Sequence, residues 1–168
     1  MGTEAHKKEA PKSIRSAIIT ATTTRSLDQD ESGHWIAGQI QKLGHQLVAH
    51  QVVTDDTAII LEALQEVVFQ KEAQVVLING GTGIAAKDVT IEAVQSQFSK
   101  TLTAFSTLFA KLSFDEIGSA AMLSRAVAGV LDGRAVVFCM PGSLKACQLA
   151  CSRLVFPELG HLVKHLHE

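Results

Sequence analysis

Four short runs of β-branched and apolar residues recur along the chain, and each suits a strand that is buried on both faces. The runs are Ile14 to Thr22, Leu47 to Val53, Val75 to Asn79 and Ala135 to Met140. Segments with helical periodicity lie between them. Strands that alternate with helices predict a mostly parallel central sheet, joined by right-handed crossovers and covered on both faces. We therefore predict an α/β fold with three layers, α/β/α.

Two of the intervening segments predict amphipathic helices. The segment Ser32 to Leu43 is followed by Gly44, a natural helix stop, and the second segment is Thr57 to Phe69. Their apolar residues recur at helical spacing, namely Trp35, Ile36, Ile40 and Leu43 in the first, and Ile60, Leu64, Val67 and Val68 in the second.

The segment Thr90 to Gly133 is too long for one crossover helix, so we expect two or three short helices and a loop there. Ser113 with Glu116 three residues later matches a capping box, which predicts that a helical turn starts at this point. The stretch Gly118 to Val130 is rich in Ala, Ser and Gly. It fits either a close-packed helix or a pocket wall.

The 168 residues fit one domain, which we expect over 14–168, after a flexible N-terminal arm at 1–13. A net charge of −2 disfavours binding to nucleic acid or to an anionic membrane. The absence of a long apolar run and of a signal-like N-terminus predicts a cytoplasmic protein. Three cysteines without a CxxC pair favour a reducing compartment, and for Cys147 and Cys151 core packing is favoured over metal binding.

A glycine-rich turn, Asn79-Gly80-Gly81-Thr82-Gly83, directly follows the third predicted strand. In a sheet of this kind ligands bind beyond the carboxyl ends of the strands, and exposed N–H groups of such a turn can hold a phosphate. The turn lacks the Lys-Ser/Thr ending of the P-loop and the spacing of the dinucleotide fingerprint. A tight connection without a ligand remains the alternative.

Carboxylates follow two of these strand ends. Of Asp55 and Asp56, one is expected to cap the next helix, which leaves the other for chemistry. Asp88 follows the glycine-rich turn, and either it or Thr90 could also be a helix cap. If the two loops are neighbours, Asp55 and Asp88 converge as oxygen ligands for Mg²⁺ and its substrate phosphates.

The remaining candidate site residues indicate a function less specifically. Ser143, in Met140-Pro141-Gly142-Ser143, could cap a helix or bind phosphate, and Arg25, Lys87 and Arg125 are the nearest basic residues. His161 and His165 have the i, i+4 spacing of a metal-binding pair, but an exposed terminal helix is the favoured interpretation. No pattern indicates a covalent nucleophile.

These segments resemble the MoaB/MogA family of molybdenum-cofactor proteins. The run Asn79 to Ala93 is similar to the family's GGTG…(R/K)DVT.EA motif, with Lys87 where the consensus has Arg. Further motifs follow in the family's order, at Asp30 to Gly33, Val53 to Asp56, Leu112 to Gly118, Leu123 to Ala126 and Met140 to Ser143.

The resemblance implies a molybdopterin-binding fold, a homo-trimer or homo-hexamer, and a molybdopterin adenylyltransferase that transfers AMP from ATP to molybdopterin with Mg²⁺ and releases pyrophosphate. It implies catalytic and metal-binding roles for Asp55 and Asp88. The residues implied to bind substrate or nucleotide are Gly80, Gly81, Thr82, Gly83, Lys87, Ser124, Arg125, Pro141, Gly142 and Ser143.

One departure from the family supports a second hypothesis. Many members read E.GFGE.FR where this chain has Thr101 to Ala110, so acidic, glycine and arginine positions are lost. The alternative to an enzyme is therefore a carrier or scaffold that binds molybdopterin without turnover. The lack of a protein nucleophile does not separate the two, because the substrate's own phosphate attacks ATP in the family reaction.

Overall fold

Six strands form one central sheet in the computed structural model, which describes residues 11–168. They are β1 (Arg15–Ala21), β2 (Gln46–Val53), β3 (Val75–Asn79), β4 (Lys100–Thr101), β5 (Val127–Leu131) and β6 (Ala135–Met140). Their order is β2-β1-β3-β6-β5-β4, with parallel pairing from β2 to β6 and antiparallel pairing for β5 and β4. All four predicted strands are present.

The two additional strands lie in the segment that the sequence left undecided. β5 occupies residues 127–130 of the stretch for which a helix or a pocket wall was expected, so that expectation is wrong for these four residues. The pocket-wall alternative is confirmed at Leu123 and Ser124, which line a cleft. Asp132 and Gly133 both have positive φ, 50° and 63°, and join β5 to β6 as a hairpin turn. The Asp-Gly pair was the available signal for this hairpin.

Helices cover both faces of the sheet. α1 (Glu31–Lys42), α4 (Thr103–Ile117), α5 (Leu144–Ala150) and α6 (Leu159–Leu166) pack on one face, and α2 (Thr57–Gln65) and α3 (Thr90–Gln95) pack on the other. Neighbouring residues of one strand serve opposite faces, so Ile18 contacts the first group of helices and Ile19 contacts the second. The predicted three-layer α/β/α architecture is confirmed.

The helical stripes are confirmed with one correction. Ile36 and Ile40 of α1 are fully buried, as is the whole predicted stripe of α2, which continues through a π-helical turn at Glu66–Gln70. Leu43 is 47% exposed, because α1 ends at Lys42 and the chain turns away at Gly44, where φ is +79°. The expected core position of Leu43 is therefore wrong.

The expected helix start at Ser113 is also wrong. Ser113 lies well inside α4 and is only 4% exposed, so packing of the helix decided the conformation there.

All three cysteines are buried thiols, which confirms the core interpretation of Cys147 and Cys151. Most of the predicted N-terminal arm lies outside the described residues. Among the described helices, none is long and apolar enough to cross a membrane.

The strand order places a switch point beside β1. From β1 the chain crosses through α1 to β2 on one side, and from β2 it crosses back through α2 to β3 on the other side. Because these connections leave in opposite directions, a crevice opens beyond the carboxyl ends of β1 and β3.

Candidate active site

A cleft of about 320 Å³ lies at this crevice. It is lined by the segments that follow β1, β2, β3 and β6, together with the loop before β5. Its lining includes most of the residues singled out from the sequence, namely Asp55, Gly80, Gly81, Thr82, Gly83, Lys87, Asp88, Ser124, Pro141 and Gly142, as well as Arg25.

The glycine-rich turn forms the floor of this cleft because neighbouring strands hold it there. Gly80 has φ +88°, its N–H donates to the carbonyl of Met140 at 3.1 Å, and a Cβ at this position would overlap the carbonyl oxygen of Ala21. Gly81 also has positive φ, +63°, and its carbonyl accepts from the N–H of Thr90 at 3.0 Å. The backbone is therefore fixed between β1, β6 and the start of α3, where side chains would not fit.

Asp55 and Asp88 each lie against a glycine of this turn. A Cβ built on Gly81 would lie 2.7 Å from Asp55 Oδ1, and one built on Gly83 would lie 2.6 Å from Asp88 Oδ2. Asp88 Oδ2 also accepts from the N–H of Ala85 at 2.9 Å, so it fixes the loop rather than capping α3. Asp56 instead caps α2, accepting from the N–H of Ile59 at 3.1 Å.

The two carboxylates influence each other electrostatically. Burial raises the pKa of Asp55 above its ordinary value, and the negative charge of Asp88 raises it further. Lys87 and the N–H of Thr23 lower the pKa of Asp55, but they do not cancel these effects. Two carboxylates in one cleft therefore favour a bound cation that would relieve their repulsion.

Unsatisfied polar atoms gather at the same place. Asp55 Oδ1, Asn79 Oδ1 and Thr90 Oγ1 are buried and lack hydrogen-bond partners among the described residues. Buried polar atoms are nearly always paired, so three such oxygens around one glycine-rich turn indicate a site built to receive a cation or a polar ligand.

The basic residues divide between two roles. Lys87 and Arg25 line the cleft directly. Arg125 lies beneath the glycine-rich turn and donates to the carbonyls of Thr82 at 3.0 Å and Gly83 at 2.9 Å. Its guanidinium also pairs with Glu92 of α3 at 2.6 Å. Arg125 thus supports the turn from behind and is not among the residues that line the cleft, while the ligand contact that the resemblance implies stays a prediction.

A second cleft of about 510 Å³ adjoins the first and shares Ser124 and Pro141 with it. Its walls come from the end of α4 and from α5, including Glu116, Ile117 and Leu149. Ser143 belongs to this cleft and not to the first, and its hydroxyl caps α5 by accepting from the N–H of Ala146 at 3.3 Å. The two clefts together offer a more polar end and a less polar end.

A buried polar network lies behind the first cleft. Asp30 is fully buried and accepts from the hydroxyl of Thr20 at 2.6 Å, from the His50 ring at 2.7 Å and from the N–H of Gly33 at 3.0 Å. Thr20 in turn accepts from Asn79 Nδ2 at 2.8 Å. The network therefore positions Asn79, the residue that precedes the glycine-rich turn.

Part of the cleft lining was not predicted from the sequence. Thr22, Thr23 and Thr24 follow β1 and border the cleft, and Asn79 contributes the buried amide described above. Their position after a strand end was the available signal, because the same rule located the glycine-rich turn.

The segment 101–110 contributes to neither cleft. Phe105 and Phe109 of α4 are buried in the core, and the ring of Phe105 meets that of Phe138 edge to face, with centroids 5.1 Å apart. The departure from the family pattern at this segment therefore lies where α4 packs against the sheet, outside the described cleft walls.

Comparison with known proteins identifies the same family as the sequence motifs do. Residues 17–161 match the family described as "Probable molybdopterin binding domain". Molybdenum cofactor biosynthesis protein B of Halalkalibacterium halodurans is 44% identical over 99% of this chain and 98% of its own. Molybdopterin adenylyltransferase of Pyrococcus furiosus is 38% identical over the full length of both. A crystal structure of a molybdenum cofactor biosynthesis protein B has a TM-score of 0.90 and 44% identity, covering 95% of this chain and 99% of the other.

Proposed function

We propose a function from the premise that this chain belongs to the molybdopterin-binding domain family. It acts in molybdenum cofactor biosynthesis as a molybdopterin adenylyltransferase. The observation that carries the proposal is that Asp55 and Asp88 lie in one cleft, each against a glycine of the same turn. This arrangement suits a polyphosphate with a divalent cation, and a relative that matches over its full length is named for that reaction.

The two adjoining clefts suit the two substrates. The first cleft, with its glycine-rich turn and Lys87, would hold the phosphates of ATP. The second, with Ile117 and Leu149 beside Glu116 and Lys145, would hold the pterin, whose ring has both apolar faces and polar edges. Ser124 and Pro141 lie at the boundary, where the phosphate of molybdopterin would meet the α-phosphorus of ATP.

In this reaction a phosphate oxygen of molybdopterin forms a bond to the α-phosphorus, and the bond from the α-phosphorus to the bridging oxygen of pyrophosphate breaks. No protein nucleophile is needed, so the chain contributes positioning and charge neutralisation. Backbone N–H groups of the turn would bind phosphate oxygens, and Lys87 would offset negative charge. Arg125 acts as a positioning residue, since it supports the carbonyls of Thr82 and Gly83.

Asp55 and Asp88 fit the role of Mg²⁺ ligands. Mg²⁺ in such sites takes one or two carboxylates and completes its shell with water and substrate phosphates, and the unpaired Asp55 Oδ1 offers a ligand atom. A bound Mg²⁺ would neutralise charge on the polyphosphate. Before it binds, these carboxylates repel each other, which is consistent with the raised pKa of Asp55.

An exposed apolar surface supports self-association. Phe114, Ile117, Met122 and Leu123, at the end of α4 and in the turn after it, are each more than half exposed, at 60, 54, 84 and 57%. Ile117 and Leu123 also line the two clefts, so a partner packed here would border the substrate sites. A cluster of this kind is typical of a protein interface. We propose that copies of this chain pack through it as a trimer or hexamer.

Pyrophosphate release tests the proposed function. With ATP, Mg²⁺ and molybdopterin, the wild-type chain is expected to release pyrophosphate, whereas Asp88→Asn should lose about 10²- to 10³-fold in kcat because charge neutralisation at the turn is lost. Asp56→Asn is the matched control. It changes the neighbouring carboxylate of the Asp55-Asp56 pair, but an asparagine can still cap α2, so kcat should stay near the wild-type value.

Equal rates for the wild type and Asp88→Asn would contradict the catalytic assignment. The second candidate function is the carrier or scaffold that the sequence suggested from the departure at 101–110, although that segment lies in neither cleft. Such a protein would bind molybdopterin in calorimetry with an affinity that ATP does not change, and it would release no pyrophosphate.

A further inference from the structure

The side-chain amide of Asn79 has no role yet in the proposed reaction. Asn79 is the last residue of β3, is fully buried, and lines the first cleft but not the second. Its Oδ1 has no hydrogen-bond partner among the described residues, and a Cβ built on Gly142 would lie 4.0 Å from that oxygen. Because buried polar atoms are nearly always paired, this oxygen is available to a ligand that enters the cleft.

A chain of hydrogen bonds fixes which end of the amide is free. Thr20 and Asn79 are partners across the parallel strands β1 and β3. The Thr20 hydroxyl donates to Asp30 Oδ2 at 2.6 Å and accepts from Asn79 Nδ2 at 2.8 Å. A hydroxyl has one proton, so a hydroxyl that donates to the carboxylate can only accept from the amide. The NH₂ group of Asn79 is therefore turned toward Thr20, and its carbonyl oxygen is the free end.

Asp30 gives this chain its direction, because an ionised carboxylate accepts hydrogen bonds and donates none. Burial alone would raise the pKa of Asp30, but hydrogen bonds from His50, Thr20 and the Gly33 N–H outweigh burial and lower it. The carboxylate is therefore ionised at pH 7. It is also held in place, since His50 Nε2 lies 2.7 Å from Oδ2 and the N–H of Gly33 donates to Oδ1 at 3.0 Å.

An acceptor at this position suits only some parts of a nucleotide. The phosphate oxygens of ATP are themselves charged acceptors, so the Asn79 oxygen cannot form a hydrogen bond with them. Two kinds of group can donate to it, namely an O–H or N–H of the nucleoside and a water bound to Mg²⁺, which keeps several waters in such sites. Asn79 therefore differs from Lys87 and the N–H groups of the glycine-rich turn, which attract phosphate.

We propose that Asn79 is a nucleotide-binding residue whose carbonyl oxygen accepts a hydrogen bond from an O–H or N–H donor of the Mg²⁺-ATP complex, and that Thr20 and Asp30 are positioning residues that keep this oxygen free. The inference rests on the proposed function, since it takes ATP as the ligand of the first cleft. The contact selects one orientation of the nucleotide, because a phosphate placed against Asn79 would be repelled.

Calorimetric titration of the full chain with a non-hydrolysable ATP analogue and Mg²⁺ tests this contact. Asn79→Ala should bind the complex about tenfold more weakly than the wild type, because one hydrogen bond is lost. The same variant should bind inorganic triphosphate without metal, at mildly alkaline pH, as tightly as the wild type does, because that ligand offers almost no donor.

Ser16→Ala is the matched control. It also removes a buried oxygen of β1 that has no partner among the described residues, but Ser16 pairs with Val75, at the opposite ends of β1 and β3 from Thr20 and Asn79. Both affinities should stay at the wild-type value in this variant.

Two further titrations identify the donor. If the nucleoside donates, Asn79→Ala should show the same loss with the ATP analogue in the absence of metal, and no loss with triphosphate and Mg²⁺. If a metal-bound water donates, the loss should appear with triphosphate and Mg²⁺ and disappear without the metal. Either pattern supports the proposal.

Variants of Thr20 test the positioning role. Thr20→Val removes the hydroxyl that holds the amide and should weaken binding of the ATP analogue with Mg²⁺ several-fold, whereas Thr20→Ser keeps a hydroxyl and should bind like the wild type. Thermal unfolding shows which variants are folded at the temperature of the titration. Should Thr20→Val not fold, Asn79→Ala and Thr20→Ser decide the outcome.

Equal affinity of Asn79→Ala and the wild type for the ATP analogue with Mg²⁺ would overturn the proposal. An equal loss with metal-free triphosphate would also overturn it, because Asn79 would then only support the glycine-rich turn. A wild-type chain that does not bind the ATP analogue at all would contradict the proposed function itself, so the two failures are distinguishable.

Discussion

Asp30 and Asp55 lie near the same end of the sheet, but their surroundings shift their pKa values in opposite directions. Asp30 is fully buried, and burial would raise its pKa, yet hydrogen bonds from His50, Thr20 and the Gly33 N–H outweigh this effect and lower the pKa. Asp55 is only partly buried, but with an unpaired Oδ1 and Asp88 nearby its pKa is raised. Completed hydrogen bonding, more than depth, separates a structural carboxylate from one available to a ligand.

This contrast predicts opposite effects on stability. A carboxylate with a lowered pKa stabilises the fold above its unfolded pKa, and that contribution is lost as the pH falls through its folded pKa. A carboxylate with a raised pKa contributes only below its unfolded pKa, and that contribution is lost as the pH rises through its folded pKa. At pH 7, ionised Asp30 therefore stabilises the protein and ionised Asp55 opposes folding.

The largest expected effect is that of Asp30→Asn on folding. The carboxylate accepts three donors, whereas an amide offers one acceptor oxygen and turns its NH₂ toward a donor. We expect a loss of about 3 kcal/mol in the free energy of unfolding at pH 7, measured in urea. The loss should begin to shrink as the pH falls below about 4, because the aspartate of the unfolded wild type takes up a proton there, and it should shrink further as the pH passes through the lowered pKa of Asp30 in the fold. A wild-type value for Asp30→Asn at pH 7 would show that the network contributes nothing.

Two glycines sharpen the comparison, because each lies against one of these aspartates. A Cβ on Gly33 would overlap Asp30 Oδ2 and His50, whereas a Cβ on Gly81 would overlap Thr90 Oγ1 and lie 2.7 Å from Asp55 Oδ1. Gly33→Ala should destabilise the fold by about 1–3 kcal/mol, with near-normal turnover per folded molecule. Gly81→Ala should cost about 1–2 kcal/mol for its positive φ and also reduce pyrophosphate release.

Gly38→Ala is the control for both glycines. Gly38 is also on α1, and a Cβ there meets nothing within 4 Å, so this change should raise stability by about 1 kcal/mol. Normal pyrophosphate release by Gly81→Ala would separate the glycine-rich turn from the chemistry.

The smallest expected effect is that of Asp55→Asn on stability. Removing a charge that opposes folding should leave the free energy of unfolding at pH 7 unchanged or raise it by less than about 1 kcal/mol, although turnover is lost. Denaturation in urea at pH 7 and at pH 4 checks the sign, because any gain should disappear at the lower pH. A loss as large as that of Asp30→Asn would make Asp55 a structural residue.

Local sequence patterns identified four of the six described strands and the glycine-rich turn of the site. Short apolar runs identified β1, β2, β3 and β6, because strands buried on both faces need continuous apolar residues. The run Val127–Leu131 contains Ala and Gly and gave no comparable signal, so its strand pairing is decided by β6 alongside it. The glycine-rich turn was recognisable because its composition is needed for close backbone approach.

The sequence by itself determined that carboxylates and a glycine-rich turn follow strand ends, since local residue order specifies what each strand end carries. Only the tertiary structure decided that Asp55, and not Asp56, lies in the cleft, and that Arg125 supports the turn from behind. It also decided that Asp30 is structural, because its partners Thr20 and His50 come from separate strands. Which residues meet depends on strand order and packing, which no single segment encodes.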